Sequence, residues 1–305
     1  MVSLIIATIS AAMFSILFKY FQRNGIDSFK AILVNYIVAF AWGYALSMRE
    51  TGFSVNPIKE KWFILAVLIG IVFIRGMVLL NICTEKVGVA ISTVCSRASM
   101  IIPIIFCYLF IPGSDIPNWF AIIVVILSLV LIVSTDMRSV VHGVGKKSRV
   151  ILLTTVVFLI FGASNSMLKL MQYMMSQIYG CQGEDTVTSM NAIGTSVIFL
   201  VAFVIAVITE IIKYLTSKSS SSERKHFTWK ELVGGVVLGS ANFFCTYLLV
   251  IAMRKLDPAV LFPIHNAGIV ALGAIAGWVF FGEKLTKTQI VGIFVSMAAI
   301  VWLCM

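Results

Sequence analysis

Long apolar runs follow one another along almost the whole chain, separated by short clusters of charge, Gly, Pro and Asn. Read against these breaks, the pattern predicts membrane-spanning helices at 2–21, 28–47, 61–83, 89–111 and 117–136, and again at 149–172, 187–211, 229–253, 258–281 and 287–304. A bilayer core of ~30 Å needs about 20 apolar residues per helix, and each run is of that order. The expectation is an all-α integral membrane protein of about ten transmembrane helices.

Polar positions inside the runs repeat. Ser15 precedes Lys19 by one helical turn in the first span, and Asn165 precedes Lys169 by one turn in the sixth; Gln22 and Gln172 follow in the same register. A second ungapped match sets Gly70 on Gly239, Lys86 on Lys255 and Ala90 on Ala259, so the third and fourth spans correspond to the eighth and ninth. The chain therefore divides into 1–138 and 149–305, two five-helix repeats. An odd number of helices per repeat inserts the copies with opposite orientation, the inverted arrangement common in secondary transporters.

Composition agrees with this reading. Of 305 residues 60% are hydrophobic and 12% charged, against about 25% charged in soluble domains. The net charge of +10 collects in loops rather than on a basic, aromatic-interleaved face, which argues against nucleic acid as a partner. Lys and Arg concentrate in the odd-numbered loops, so the positive-inside rule puts those loops in the cytoplasm and both termini outside. The first span has basic residues only at its far end, Lys19 and Arg23, unlike a cleavable signal peptide. The cysteines form no C-x-x-C pair and read as small packing residues, with Cys181 alone in a loop.

The ninth and tenth spans carry a resemblance. Leu256-Asp257-Pro258-Ala259 opens a span, Gly277-Trp278-Val279-Phe280-Phe281-Gly282-Glu283-Lys284-Leu285-Thr286 closes it, and Gln289-Ile290-Val291-Gly292 opens the next. This junction resembles the repeat end of the drug/metabolite transporter superfamily, specifically its ten-helix EamA-type permeases. The fourth-to-fifth junction, Pro112-Gly113-Ser114-Asp115, keeps the Gly and lacks Glu-Lys-Leu. The resemblance implies two inverted repeats around a central cavity lined by spans one to four and six to nine, with spans five and ten at the periphery. It also implies a multi-pass protein of a bacterial plasma (inner) membrane, a monomer or homodimer surrounded by membrane lipid.

An ionisable side chain in a span is expensive unless a cavity or partner receives it. Arg75 and Arg97 are expected at similar depth in the third and fourth spans, where two planar guanidiniums suit a carboxylate or phosphate. The alternative for each is a bond to helix carbonyls or to Glu85. His265 and Asn266 occupy the register of Ser96 and Arg97 in the other half; His265 suits proton coupling or a neutral hydrogen bond. Asn242, Tyr247 and Asn165, with Asn35 and Tyr36, offer neutral hydrogen bonds to a solute or between helices. Lys19 and Lys169 are expected to snorkel to the interface. Pro103 and Pro263 are expected to break their helices beside the site, and Gly235-x-x-x-Gly239 and Gly273-x-x-x-Gly277 to allow close helix contact.

No span carries a central Asp or Glu, which argues against exchange of cationic drugs for protons through a buried carboxylate. Catalytic motifs are absent: no H-E-x-x-H, no G-x-S-x-G and no metal-ligand spacing among His142, His226 and His265; Gly143-Val144-Gly145-Lys146 is too short for a phosphate loop. No cofactor and no metal are expected. The function expected is a secondary transporter moving a small anionic or zwitterionic metabolite by alternating access, with a proton or sodium as coupling ion. A broad-specificity exporter and a flippase of lipid-linked substrates are the alternatives, and an intramembrane enzyme is disfavoured.

Overall fold

The computed structural model describes residues 1–51, 57–87, 89–140, 147–216, 227–282 and 286–304. Among them the regular structure is helical: α1 (Val2–Arg23), α2 (Ser28–Thr51), α3 (Lys61–Val87), α4 (Val89–Ala98), α5 (Ile101–Phe110), α6 (Trp119–Val140), α7 (Lys147–Tyr179), α8 (Glu184–Thr216), α9 (Trp229–Lys255), α10 (Pro258–Phe281) and α11 (Lys287–Cys304). Eight stretches have the length and hydropathy to cross a membrane, α4 and α5 together forming one, and α6 and α11 contain the shorter apolar segments Trp119–Ile132 and Lys287–Ala299. These are the ten spans that the hydrophobic pattern predicts. Large apolar side chains such as Ile64, Phe110, Phe280 and Phe294 stand exposed on the outside, as expected where lipid is the solvent. The chain is a multi-pass membrane protein.

The helices pack largely across the midpoint of the sequence. α2 lies against α8 and α9, α3 against α7 and α8, α1 against α9 and α10, and α7 against α4 and α5; α6 and α11 pack on one another. Two glycines set the closest approaches. A Cβ on Gly239 would stand 2.6 Å from the Asn35 carbonyl oxygen of α2, and one on Gly70 would stand 2.7 Å from the Ile198 carbonyl oxygen of α8. Small residues let backbones meet in this way, and van der Waals contact then replaces the hydrophobic drive that lipid does not supply. Gly235 does the same against Val34 and Ala31, but Gly273 has open space where its Cβ would be, so the second small-residue pair makes no close contact at Gly273.

Where α1 starts, which we term the proximal end, short turns join α5 to α6, α7 to α8 and α9 to α10. There Trp62 Nε1 donates to the Tyr179 hydroxyl at 3.2 Å, and the Asp115 amide donates to Asp257 Oδ2 at 3.0 Å. Asp257 Oδ1 also accepts from the Ala259 amide at 2.7 Å, capping α10. At the opposite, distal end Arg23 donates to the Phe281 carbonyl at 3.3 Å and stacks over the Phe281 ring, while Lys30 pairs with Glu231 at 3.8 Å.

Two helices differ from the hydrophobic pattern. α7 runs on to Tyr179 rather than stopping near 172, because Tyr173–Tyr179 is Met-rich and carries no Gly or Pro. This moves Lys169 from a span end to the interior of a helix. The fourth span is interrupted at Ser99 and Met100, between α4 and α5.

Candidate functional site

The interruption follows from local chemistry. Pro103 has no amide hydrogen to give the Ser99 carbonyl, which takes the Ile102 amide instead at 3.0 Å; Met100 donates to the Arg97 carbonyl at 3.2 Å. Serine hydroxyls assist by competing for backbone oxygens: Ser99 donates to the Ser96 carbonyl at 2.6 Å and Ser96 to the Thr93 carbonyl at 3.0 Å. The expected break at Pro263 is not found. α10 passes through Pro263 without interruption, and Asn266 Nδ2 donates to the Phe262 carbonyl at 2.9 Å beside it. Pro263 thus lies within a continuous buried helix.

Arg97 ends α4 at this break. Its Nε is buried and has no hydrogen-bond partner, and the guanidinium makes no ion pair among the described residues. The charge reaches His265 of α10 and Cys245 of α9 electrostatically, so three helices converge here. The carboxyl end of α4 and the amino end of α5 meet at this break, so their opposite partial charges stand side by side next to Arg97. An unpaired buried cation costs several kcal/mol, and an anion supplied from outside offsets it.

His265 is held from α1. Thr8 Oγ1 donates to the Leu4 carbonyl at 2.7 Å and lies 3.1 Å from His265 Nδ1. A hydroxyl has one proton, so Nδ1 must be the donor to Thr8, and Nε2 of the neutral ring is left as an acceptor. The pair is buried, with His265 only 6% exposed.

The remaining predicted residues do not all join this cluster. Asn242 Nδ2 donates to Asn35 Oδ1 at 3.0 Å, a bond between α9 and α2. Tyr247 stacks on Phe243 with ring centroids 5.2 Å apart, inside an apolar cluster with Tyr36 and Phe199. Asn266 uses its amide on the backbone of its own helix. Asn165 is half-buried on α7, one turn from Lys169 on the same face. Arg75 is exposed and follows Ile64, Leu68 and Ile71 along the exposed stripe of α3 that continues to Val78. α3 thus carries Arg75 outside the face that it packs on α7 and α8. The side chains of Ser15, Glu85 and Lys86, and residues 142–146, 226 and 283–285, lie outside the described residues.

Lys169 departs most from its expected role. It is 8% exposed rather than at the interface, and its Nζ donates to the Met253 carbonyl near the end of α9 and to Gln172 Oε1 at 3.2 Å. Gln172 Nε2 passes the chain to Ser176 Oγ at 2.7 Å. Asp257 and Cys107 lie within electrostatic reach of the ammonium. Thr8, Cys245 and the paired role of Asp257 were not singled out by the sequence. For Thr8 the signal was a single threonine between Ala7 and Ile9 in a run whose other hydroxyl residues, Ser3, Ser10 and Ser15, are all serines.

A family model described as Small Multidrug Resistance protein matches residues 191–295, which cover α9, α10 and parts of α8 and α11. An uncharacterized protein of Haemophilus influenzae (strain ATCC 51907 / DSM 11121 / KW20 / Rd) is 25% identical over 311 residues, covering 98% of this chain and 96% of its own. A protein crystal structure of 12% identity superposes with a TM-score of 0.65 over 98% of this chain and 94% of that one, a likeness of fold.

Proposed function

We propose that the chain is a membrane transporter whose substrate is a small anionic or zwitterionic metabolite held at Arg97. The observation that carries this is the half-buried Arg97, whose buried Nε has no hydrogen-bond partner among the described residues, set at an interrupted helix in mid-span. His265 Nε2 is the second contact, an acceptor for a hydroxyl or amine hydrogen of the solute, and Asn165 can add a neutral one from α7.

Transport proceeds by alternating access of two inverted repeats. Support comes from the packing: exchanging the two halves turns the contact of α1 with α9 into that of α7 with α3, and the contact of α2 with α9 into that of α8 with α3. Gly239 and Gly70, which the sequence match aligns, make the same close approach in each half. Ties cross between the halves at both ends, through Asp115 and Asp257 at the proximal end and through Arg23 with Phe281 and Lys30 with Glu231 at the distal end.

A second reading, export of cationic drugs, is favoured by the description of the family matched over 191–295. The site chemistry weighs against it, because the buried Glu231 caps Thr228 at the distal end and pairs with Lys30 instead of facing Arg97. A thermal-shift panel separates the two, since ligand binding to the folded state raises apparent stability. Carboxylates and phosphate esters should stabilise the purified wild type and leave Arg97→Ala unmoved; stabilisation by cationic amines alone would overturn the anionic reading. Counterflow of the stabilising solute in proteoliposomes then tests transport itself.

A further inference from the structure

A cavity of about 270 Å³ opens between the last turn of α1 and the first turns of α9, away from the Arg97 site. Asn24 and Gly25, the latter at φ 64°, turn the chain away from α1, while the capping box of Thr228 and Glu231 starts α9 alongside. Gly234 lets the Phe21 ring lie flush against α9, where a Cβ would come within 2.8 Å of it. Phe21 of α1 and Gly234 of α9 thus meet at the wall of the cavity.

The walls are layered. Toward the rim stand Tyr20, Asn24, Trp229 and Lys230; one to two turns deeper stand Leu17, Val233 and Val237. Trp229 and Tyr20 are 75% and 52% exposed, the amphipathic rings that settle at the level of lipid headgroups. Lys230 is exposed and makes no ion pair among the described residues, and the nearest acid along the chain, Glu231, is already occupied by Lys30 and the Thr228 amide. A wall that is apolar at depth, aromatic at the interface and singly positive at the rim matches one occupant: a lipid with a negatively charged headgroup.

We propose that this groove is a binding site for one anionic phospholipid, its phosphate at Lys230 and an acyl chain lying along Leu17, Val233 and Val237. The adjacent distal loops carry much of the chain's Lys and Arg, which draws such lipids to this end of the bundle. The site is independent of the transported solute, because Arg97 and His265 are not among its walls.

Native mass spectrometry of the full chain, incubated with equimolar phosphatidylglycerol and phosphatidylcholine, tests it. Wild type should retain phosphatidylglycerol about fivefold over phosphatidylcholine, the ratio expected from one lysine near the surface. Lys230→Gln should abolish the preference, and Val237→Trp, which fills the groove from an exposed position, should reduce retention of both lipids. Equal retention by the wild type, an unchanged preference in Lys230→Gln, or displacement of the bound lipid by inorganic phosphate at equal concentration would each overturn the proposal. Melting curves of both variants establish that they are folded.

Discussion

Thr8 and His265, 257 positions apart, share one hydrogen bond of 3.1 Å whose direction is fixed by a third group, the Leu4 carbonyl that already takes the Thr8 proton. The bond joins α1 to α10 and sets the imidazole tautomer. Thr8→Val keeps the volume and removes the acceptor, leaving a buried N–H at a cost of ~1–3 kcal/mol. A lower melting temperature is expected, together with a change in the nitrogen chemical shifts of His265, and Thr8→Ser should restore both.

The two arginines should separate. Arg97→Met removes a half-buried charge whose Nε has no partner among the described residues, so the variant without ligand should be at least as stable as wild type while losing substrate binding. Arg75→Ala, on the exposed stripe of α3, should leave binding within about twofold, since exposed changes away from special features lie within roughly ±0.5 kcal/mol. Calorimetric melting and ligand titration of both variants check this, and equal losses of binding would restore the paired-arginine site.

Pro103→Ala returns an amide hydrogen to the Ser99 carbonyl and should let α4 and α5 join. Hydrogen exchange at residues 100–104 should slow, and affinity for the anionic solute should fall as the half-helix end is lost. Pro263→Ala should leave the exchange pattern of the already continuous α10 unchanged.

Gly239→Ala should destabilise by about 1–3 kcal/mol through the clash with the Asn35 carbonyl. Gly273→Ala, facing open space, should be neutral or slightly stabilising. Urea or thermal melts in detergent compare the two.

Lys169→Met leaves the Met253 carbonyl without its ammonium. Cys107, 1% exposed and within electrostatic reach of Lys169, reports on the opening of this region. Its alkylation rate should rise about tenfold if the lost bond contributes ~1.4 kcal/mol. An unchanged rate would mean that Lys169 does not hold the proximal end together.

Hydropathy made the ten crossings legible because every backbone group in lipid must bond within its own helix, so span length and apolar content are tightly constrained. The alignment of Gly70 with Gly239 was legible for a related reason: close backbone contact tolerates only the smallest side chain. Rotation about a helix axis was not. Arg75 and Arg97 have similar depths by counting residues, yet depth is set by position in the run while facing depends on neighbours far off in sequence. Lys169 was misjudged because the apolar run ended before the helix did. Thr8 gave too little signal alone, since a lone threonine in a span usually bonds the carbonyl one turn back, as this one also does.

The turn between α4 and α5 has no counterpart in α10, although the sequence match pairs those two crossings. In the proposed alternating-access cycle, two identical halves would give two resting shapes of equal energy, related by a two-fold axis in the membrane plane. Here one half bends at a joint that the other lacks, so under that proposed cycle the two shapes should differ in energy even with equal solute on both sides. Such a bias in resting population would appear as unequal apparent affinities measured from the two faces of one vesicle.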